Sequence, residues 1–458
     1  MGMPSDARSA PRGGPRLLLV SRWFPPHSDP TSYRWLRFVT ALAQRGWTID
    51  VLTVQPEPHA DYYDEGLLDL VPPEVTIHRV YAGLYQGRID RWRRRSPPAT
   101  GAVAGGGARP ARPGPVRLLR QILKTPDHLI GPLKFPDPTF EWIPWGARRG
   151  IALHRERAYD LLVSSSAPFS SHVVAARIRR ACGIPWVGDF SDPFIDTPFV
   201  RRPRWRLALD RRLEASWMRA LDAMIVPTQE MADLCSRQYP VMSPARVHVV
   251  SYGYPEELYA SLEPHRLEGF TIVHTGVFYA DLRDPTPFFR GLSQVRDLPI
   301  RVHHAGGLHG PFQDEIQRLG IGHLIVQHGF LPRREAAALQ MGGSCLLLIG
   351  NKGGVQLPGK LLDYFGAGRP VLALRNDAHD IAADLVAHTG AGLVVENEPA
   401  AIAGALRSLV GWWQAGDLDG RFNTGVGREF AWSRQEEKLA GVLARYASAP
   451  GRPDSARG

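Results

Sequence analysis

Cysteine is nearly missing from this chain: three residues, Cys182, Cys235 and Cys345, among 458. That excludes a disulfide-stapled scaffold, and no two of them stand at metal-pair spacing. Lysine is scarce too, with Lys124, Lys134, Lys352, Lys360 and Lys438 supplying few of the 55 Lys+Arg residues. No apolar run approaches the roughly 18 residues that a spanning helix needs. Met1 to Arg16 is rich in Gly, Pro and Arg and has no apolar stretch like that of a secretory signal. Together these absences predict a cytoplasmic protein, at most peripheral to a membrane. What is abundant is Gly, with 46 residues, and Pro, with 40, so loops are extensive. Lys+Arg exceed Asp+Glu by 55 to 45, a net +10, which suits phosphate, nucleic acid or a membrane surface as partner. Apolar content of 44% and charged content of 22% are ordinary globular usage, and the length suggests two or three domains.

Arg16 to Ser21 reads as a buried strand, Tyr33 to Arg45 carries apolar residues at helical spacing, and Thr48 to Thr53 reads as a second strand. That is a βαβ unit of a parallel sheet. Residues 87–114, with Arg91, Trp92, Arg93, Arg94 and Arg95 before a glycine run, read as a flexible basic insert. Further strands are expected at Tyr159 to Ser165, Pro185 to Asp189, Ala223 to Pro227 and Val247 to Ser251. A second series follows at Phe270 to Thr275, Ile300 to Ala305, Leu324 to Gly329, Cys345 to Ile349, Pro370 to Leu374 and Gly392 to Val395. The expected class is therefore α/β, two doubly wound Rossmann-like domains facing across a cleft. The divisions read as a tail 1–15, an N-terminal domain 16–255, a C-terminal domain 256–430, a returning helix 431–448 and a tail 449–458. Ligands of such sheets bind beyond the carboxyl ends of the strands.

The densest chemistry lies in Pro358-Gly359-Lys360-Leu361-Leu362-Asp363, a glycine turn that opens a helix. Free amides and the positive dipole end make a helix start an anion site. Lys360 adds a point charge suited to phosphate, and Asp363, one turn on, could accept sugar hydroxyls. An ordinary helix with solvated Lys and Asp fits the same residues. In the N-terminal half, His172, Asp189 and Asp192 stand at strand-to-helix junctions, where a general base would sit. Helix capping by the two aspartates and a structural hydrogen bond of the histidine are the other readings.

The stretch Leu357 to Leu372 resembles the donor-binding helix of the family-4-like nucleotide-sugar glycosyltransferases with the GT-B fold. Similar in the same order are Leu17 to Pro26, Asp137-Pro138 with Trp142-Ile143-Pro144, Trp186 to Phe194, and His274 to Tyr279. The resemblance implies transfer of a sugar from a nucleoside-diphosphate sugar, as substrate and not cofactor, to an acceptor whose identity it does not give. It implies no cofactor and no catalytic metal, retention at the anomeric carbon, and a bacterial glycan or natural-product context with UDP as one donor nucleotide. Gly276 and Arg283 would meet the donor phosphates, although an ion pair of Arg283 with Asp281 or Asp284 is as good a reading. Lys360, with the amides of Gly359 to Leu361, would hold the diphosphate, and Asp363 the ribose. Phe330 would lie against the base or be a plain core aromatic. The family's other acid falls at Val355 here, so the sugar contact it makes is missing. Two readings stand beside transfer: a nucleotide-sugar 2-epimerase, and a non-catalytic nucleotide-binding partner. The basic insert, with Arg117, Arg120 and Lys124, reads as membrane-docking or as solvated loop, and no nucleic-acid module is visible.

Overall fold

A computed structural model describes residues 14–56, 62–83, 134–195, 202–278, 283–308, 310–351 and 357–447. The expected basic insert, with Arg117, Arg120 and Lys124, and the position of Val355 lie outside the described residues, as do residues 1–13 and 448–458. The chain divides into two compact units. One comprises Met1–Val226, Ala232–Val249 and Leu439–Gly458; the other comprises Pro227–Met231 and Val250–Lys438.

The first unit holds seven described strands: β1 (Arg16–Ser21), β2 (Thr48–Val54), β3 (Val75–Val80), β4 (Leu161–Ser166), β5 (Trp186–Phe190), β6 (Ala223–Val226) and β7 (Val247–Val249). All pair in parallel, in the order 3-2-1-4-5-6-7. β1 is central, with Leu17 opposite Ile49 on one side and Leu161 on the other. Leu17, Leu18, Leu19 and Val20 are all fully buried, as a strand covered on both faces requires. The strand order reverses between β1 and β4, which makes a switch point there.

The first helix runs Pro30–Gln44, three residues earlier than its apolar spacing predicts. Asp29 accepts from the amides of Thr31 (2.9 Å) and Ser32 (3.4 Å), and Pro30 takes the first-turn position that needs no donor. β3 went unpredicted because Val75-Thr76-Ile77-His78-Arg79-Val80 is a half-buried edge strand with no apolar run. Phe135 to Trp145, a stretch rich in Trp and Pro, is ordered by Asp137. Its carboxylate accepts from Thr139 N (2.9 Å) and from Ser170 N (2.6 Å), at the start of helix Ser170–Cys182. Trp142 is fully buried and donates to Ser170 Oγ (2.9 Å).

The second unit holds six: β8 (Phe270–Thr275), β9 (Ile300–Ala305), β10 (Ile325–Gly329), β11 (Cys345–Ile349), β12 (Val371–Arg375) and β13 (Gly392–Glu396). Their order, 10-9-8-11-12-13, is again parallel and doubly wound, with the switch point between β8 and β11. Successive side chains enter different cores: Leu347 packs with Ile272 and Leu372 on one face, Leu346 and Leu348 with Val273 and Ala373 on the other. The last helix, Trp432–Ala447, groups with the second unit through Lys438 and with the first from Leu439. Among the described residues no helix is long and apolar enough to cross a membrane.

Candidate functional site

Residues from the carboxyl ends of β8, β9 and β11 and from the start of helix Gly359–Ala367 meet at the switch point of the second unit. Gly276 follows β8 with φ +107°, a conformation open to glycine, and a Cβ there would stand 3.3 Å from Lys360 Nζ. Its carbonyl abuts the next turn so closely that a Cβ on Gly306 would lie 2.1 Å from it. The helix Gly359–Ala367 has no side-chain cap, so Pro358 leads straight into an uncapped first turn. Leu361, expected at the diphosphate, is fully buried, and its amide is already bonded to Pro358 O at 3.0 Å. That leaves the Gly359 and Lys360 amides for an anion.

Lys360 is half-buried, with Nζ 3.2 Å from His274 Nε2. Burial, and then the nearby Arg283 charge, push its ammonium down to about 7. Arg283 Nε donates to Asn351 Oδ1 at 2.5 Å, which ties the segment after β8 to the end of β11. Of its expected ion-pair partners, Asp281 lies outside the described residues, while Asp284 accepts at 2.9 Å from the amide of Thr286, the first residue of helix Thr286–Ser293. Asp363 is half-buried, 3.5 Å from Arg333 Nη2; burial raises its carboxyl above the usual range although Arg333 opposes this. Phe330, in the turn after β10, is 76% exposed, which excludes the core reading and leaves a ring open to a ligand. Thr275 is fixed from two sides, with its amide donating to Tyr364 Oη (3.2 Å) and Gln340 Nε2 donating to its hydroxyl (2.8 Å).

The structure thus brings Gly276, Arg283, Pro358, Gly359, Lys360 and Asp363 into one region, and Phe330 precedes by three residues Arg333, the partner of Asp363. Sequence reasoning missed His274, His304 and Asn351. The available signal was position alone: each closes, or nearly closes, a strand next to a glycine.

The acceptor-side candidates separate. His172 is fully buried in helix Ser170–Cys182, where Nδ1 pairs with Ser164 Oγ (2.8 Å) and the ring stacks on Phe190 at 4.0 Å. Burial drives it down to about 3. Asp189 does not follow β5 but lies within it, 1% exposed. It pairs with Arg34 (3.2 Å) and accepts from Trp35 Nε1 (2.9 Å) and Ser165 Oγ (3.0 Å). Neither side chain is therefore placed as a base for an acceptor hydroxyl: His172 makes the structural hydrogen bond of the other reading, and Asp189, which caps no helix, is paired within the core of the first unit. Asp192, just beyond β5, is partly exposed. Among the described residues no group of three His, Cys, Asp or Glu is placed to hold a metal ion.

Residues 31–253 match the glycosyl transferase 4-like domain model. No curated protein matches the chain by sequence. Solved structures do match its fold. Sucrose-phosphate synthase of Thermosynechococcus elongatus superposes with a TM-score of 0.60 at 15% identity, over 95% of this chain and 100% of that one. Anabaena Alr3699/HepE, solved with UDP-glucose, gives 0.56 at 12%, over 94% and 99%. An enzyme described as a putative UDP-N-acetylglucosamine 2-epimerase from Listeria monocytogenes gives 0.52 at 10%, over 96% and 99%. Identities this low speak for fold alone, and the fold hosts more than one chemistry. Residues 31–253 belong to the glycosyl transferase 4-like family, in a chain with the two Rossmann-like domains of the GT-B glycosyltransferases.

Proposed function

We propose that the protein transfers a sugar from a nucleoside-diphosphate sugar to an acceptor hydroxyl or related nucleophile, in bacterial glycan or natural-product biosynthesis. The observation that carries this reading is the convergence of Lys360 Nζ, the Gly276 turn and the uncapped helix start at the second unit's switch point. Breaking the bond between the anomeric carbon and the diphosphate puts negative charge on the leaving oxygens. Fixed positive groups lower that barrier most when they are in place before the charge develops. Lys360 and Arg283 are such groups, and they supply this without a metal. Asp363, at the third position beyond Lys360, takes the ribose hydroxyls by exchanging its contact with Arg333. Phe330 offers the base a flat apolar face. For the acceptor proton, Asp192 is the carboxylate that reaches the surface; in a retaining reaction the departing phosphate can accept the proton itself.

The test is a calorimetric panel of UDP, GDP, ADP, TDP and CDP with and without Mg²⁺, beginning with UDP, the nucleotide portion of what the Anabaena structure holds. Selective binding that does not need Mg²⁺ supports the reading. Lys360→Ala should then weaken the selected diphosphate by about a hundredfold and its nucleoside hardly at all, as loss of a charged contact implies. Equal loss for both ligands rules out the phosphate role. Conversion of the donor sugar to its 2-epimer with no acceptor present would redirect the assignment to an epimerase. Binding without any turnover would leave a nucleotide-binding partner.

A further inference from the structure

Behind Lys360 the second unit buries two imidazoles. His274 lies on β8, 1% exposed, and His304 stands opposite it in register on β9, 2% exposed. Their Nδ1 atoms are 3.0 Å apart, with ring centroids at 5.1 Å and planes within 19°. The rings therefore lie nearly coplanar, edge to edge. Phe278 lies flat over both, at 4.2 and 4.7 Å with interplanar angles of 13° and 14°. The other nitrogen of His274, Nε2, faces Lys360 Nζ at 3.2 Å. A line of hydrogen bonds thus runs from the anion site into the core.

The direction of that line is decided at Lys360. An ammonium only donates, so with Lys360 charged His274 Nε2 must be bare and its proton must sit on Nδ1. That proton goes to His304 Nδ1, which fixes His304 as the Nε2-protonated tautomer. Both rings must be neutral for this. Burial, then the Lys360 charge, hold His274 well below its ordinary range, and burial holds His304 down at about 4. Among the described residues Lys360 has no carboxylate partner; its partner is His274.

We propose that His274, its tautomer set by His304, is a positioning residue that holds Lys360 Nζ at the donor diphosphate. The proposal rests on the donor-site reading. A carboxylate in that place would neutralise the ammonium and compete with phosphate for it. A neutral imidazole directs one N–H and leaves two, with the full charge, for the ligand. The groups facing Lys360 are His274 from β8, Arg283 from the segment after β8, and His304 from β9 behind His274.

The test uses the full chain, titrated calorimetrically across pH with inorganic pyrophosphate, with the five nucleoside diphosphates and with their nucleosides. His274→Asn keeps an amide near His304 but none near Lys360. It should weaken pyrophosphate and diphosphates about tenfold, as loss of one charge-assisted hydrogen bond implies, and leave nucleosides unchanged. The pH above which diphosphate affinity falls should also move down, because the ammonium has lost an acceptor. His274→Gln, which reaches the Nε2 position, should restore affinity to within about threefold. Should His274→Asn not fold, His304→Leu removes the group that sets the tautomer and should also weaken pyrophosphate selectively. Wild-type pyrophosphate affinity and an unmoved pH limb in these variants overturn the positioning role while the diphosphate site stands. Failure of the wild type to bind pyrophosphate and every diphosphate overturns the donor-site reading and this proposal with it.

Discussion

Lys360 and Asp363 stand one helical turn apart, and the fold shifts their protons in opposite directions. Burial and Arg283 push Lys360 down to about 7; burial lifts Asp363 against the pull of Arg333. A lysine with a lowered value is charged below it and neutral above. Diphosphate affinity should therefore be full below about pH 7 and fall as the pH rises through 7 to 8. Binding near pH 8 should take up protons, which calorimetry in buffers of different ionisation enthalpy would read. Asp189 gives a prediction of the other kind. Asp189→Ala removes the carboxylate paired with the buried Arg34 and should cost about 3–5 kcal/mol in chemical denaturation, as removing one partner of a buried pair does. A folded variant that loses only turnover would restore Asp189 as a candidate base. Gly359, Lys360 and Asp363 were legible because their chemistry is contiguous in sequence. His274 and His304 were not, because their meaning comes from strand register across 30 residues. Asp189 and His172 misled for a related reason: a polar residue near a strand end points in or out according to a register that sequence leaves open.

At the level of elements, apolar runs marked the buried strands well, since a strand covered on both faces has little choice of residue. Strand β3 escaped because its outer position relaxes that demand. Helix boundaries were less legible where a side chain, and not the apolar stripe, sets them. Asp29 starts the first helix before its stripe begins, and Asp380 starts helix Ile381–Thr389 by accepting from Ala383 N at 3.2 Å. Asp29→Ala should lower stability by about 1 kcal/mol in a urea titration, the usual worth of a helix cap. Asp380→Ala should cost more, because its carboxylate is 2% exposed and also accepts from Asn376 N at 3.4 Å.

For the molecule as a whole, the two βα series were readable as two units because each repeats the same alternation of apolar strand and amphipathic helix. The path of the last helix was harder, since its stripe names no surface. Its start is held by Glu256, whose carboxylate accepts from Trp432 N (3.0 Å) and Ser433 N (2.9 Å), while Leu439 and Leu443 are buried further on. Leu443→Ala should lower stability by about 2–5 kcal/mol, the range for truncating a buried leucine, measured by denaturant midpoint at constant slope. Ligand offers the complementary measurement. A diphosphate at a hundred times its dissociation constant should add about 2.7 kcal/mol to the stability of the native protein.

The abutting turns at Gly276 and Gly306 have one more consequence. With no space for even a methyl group between them, the floor of the site cannot drift by small steps. A change of nucleotide or sugar preference on this frame is expected instead from substitutions around Phe330 and Arg333. Libraries that randomise those positions should yield altered ligand selection, while libraries aimed at the two glycines should return mostly dead clones.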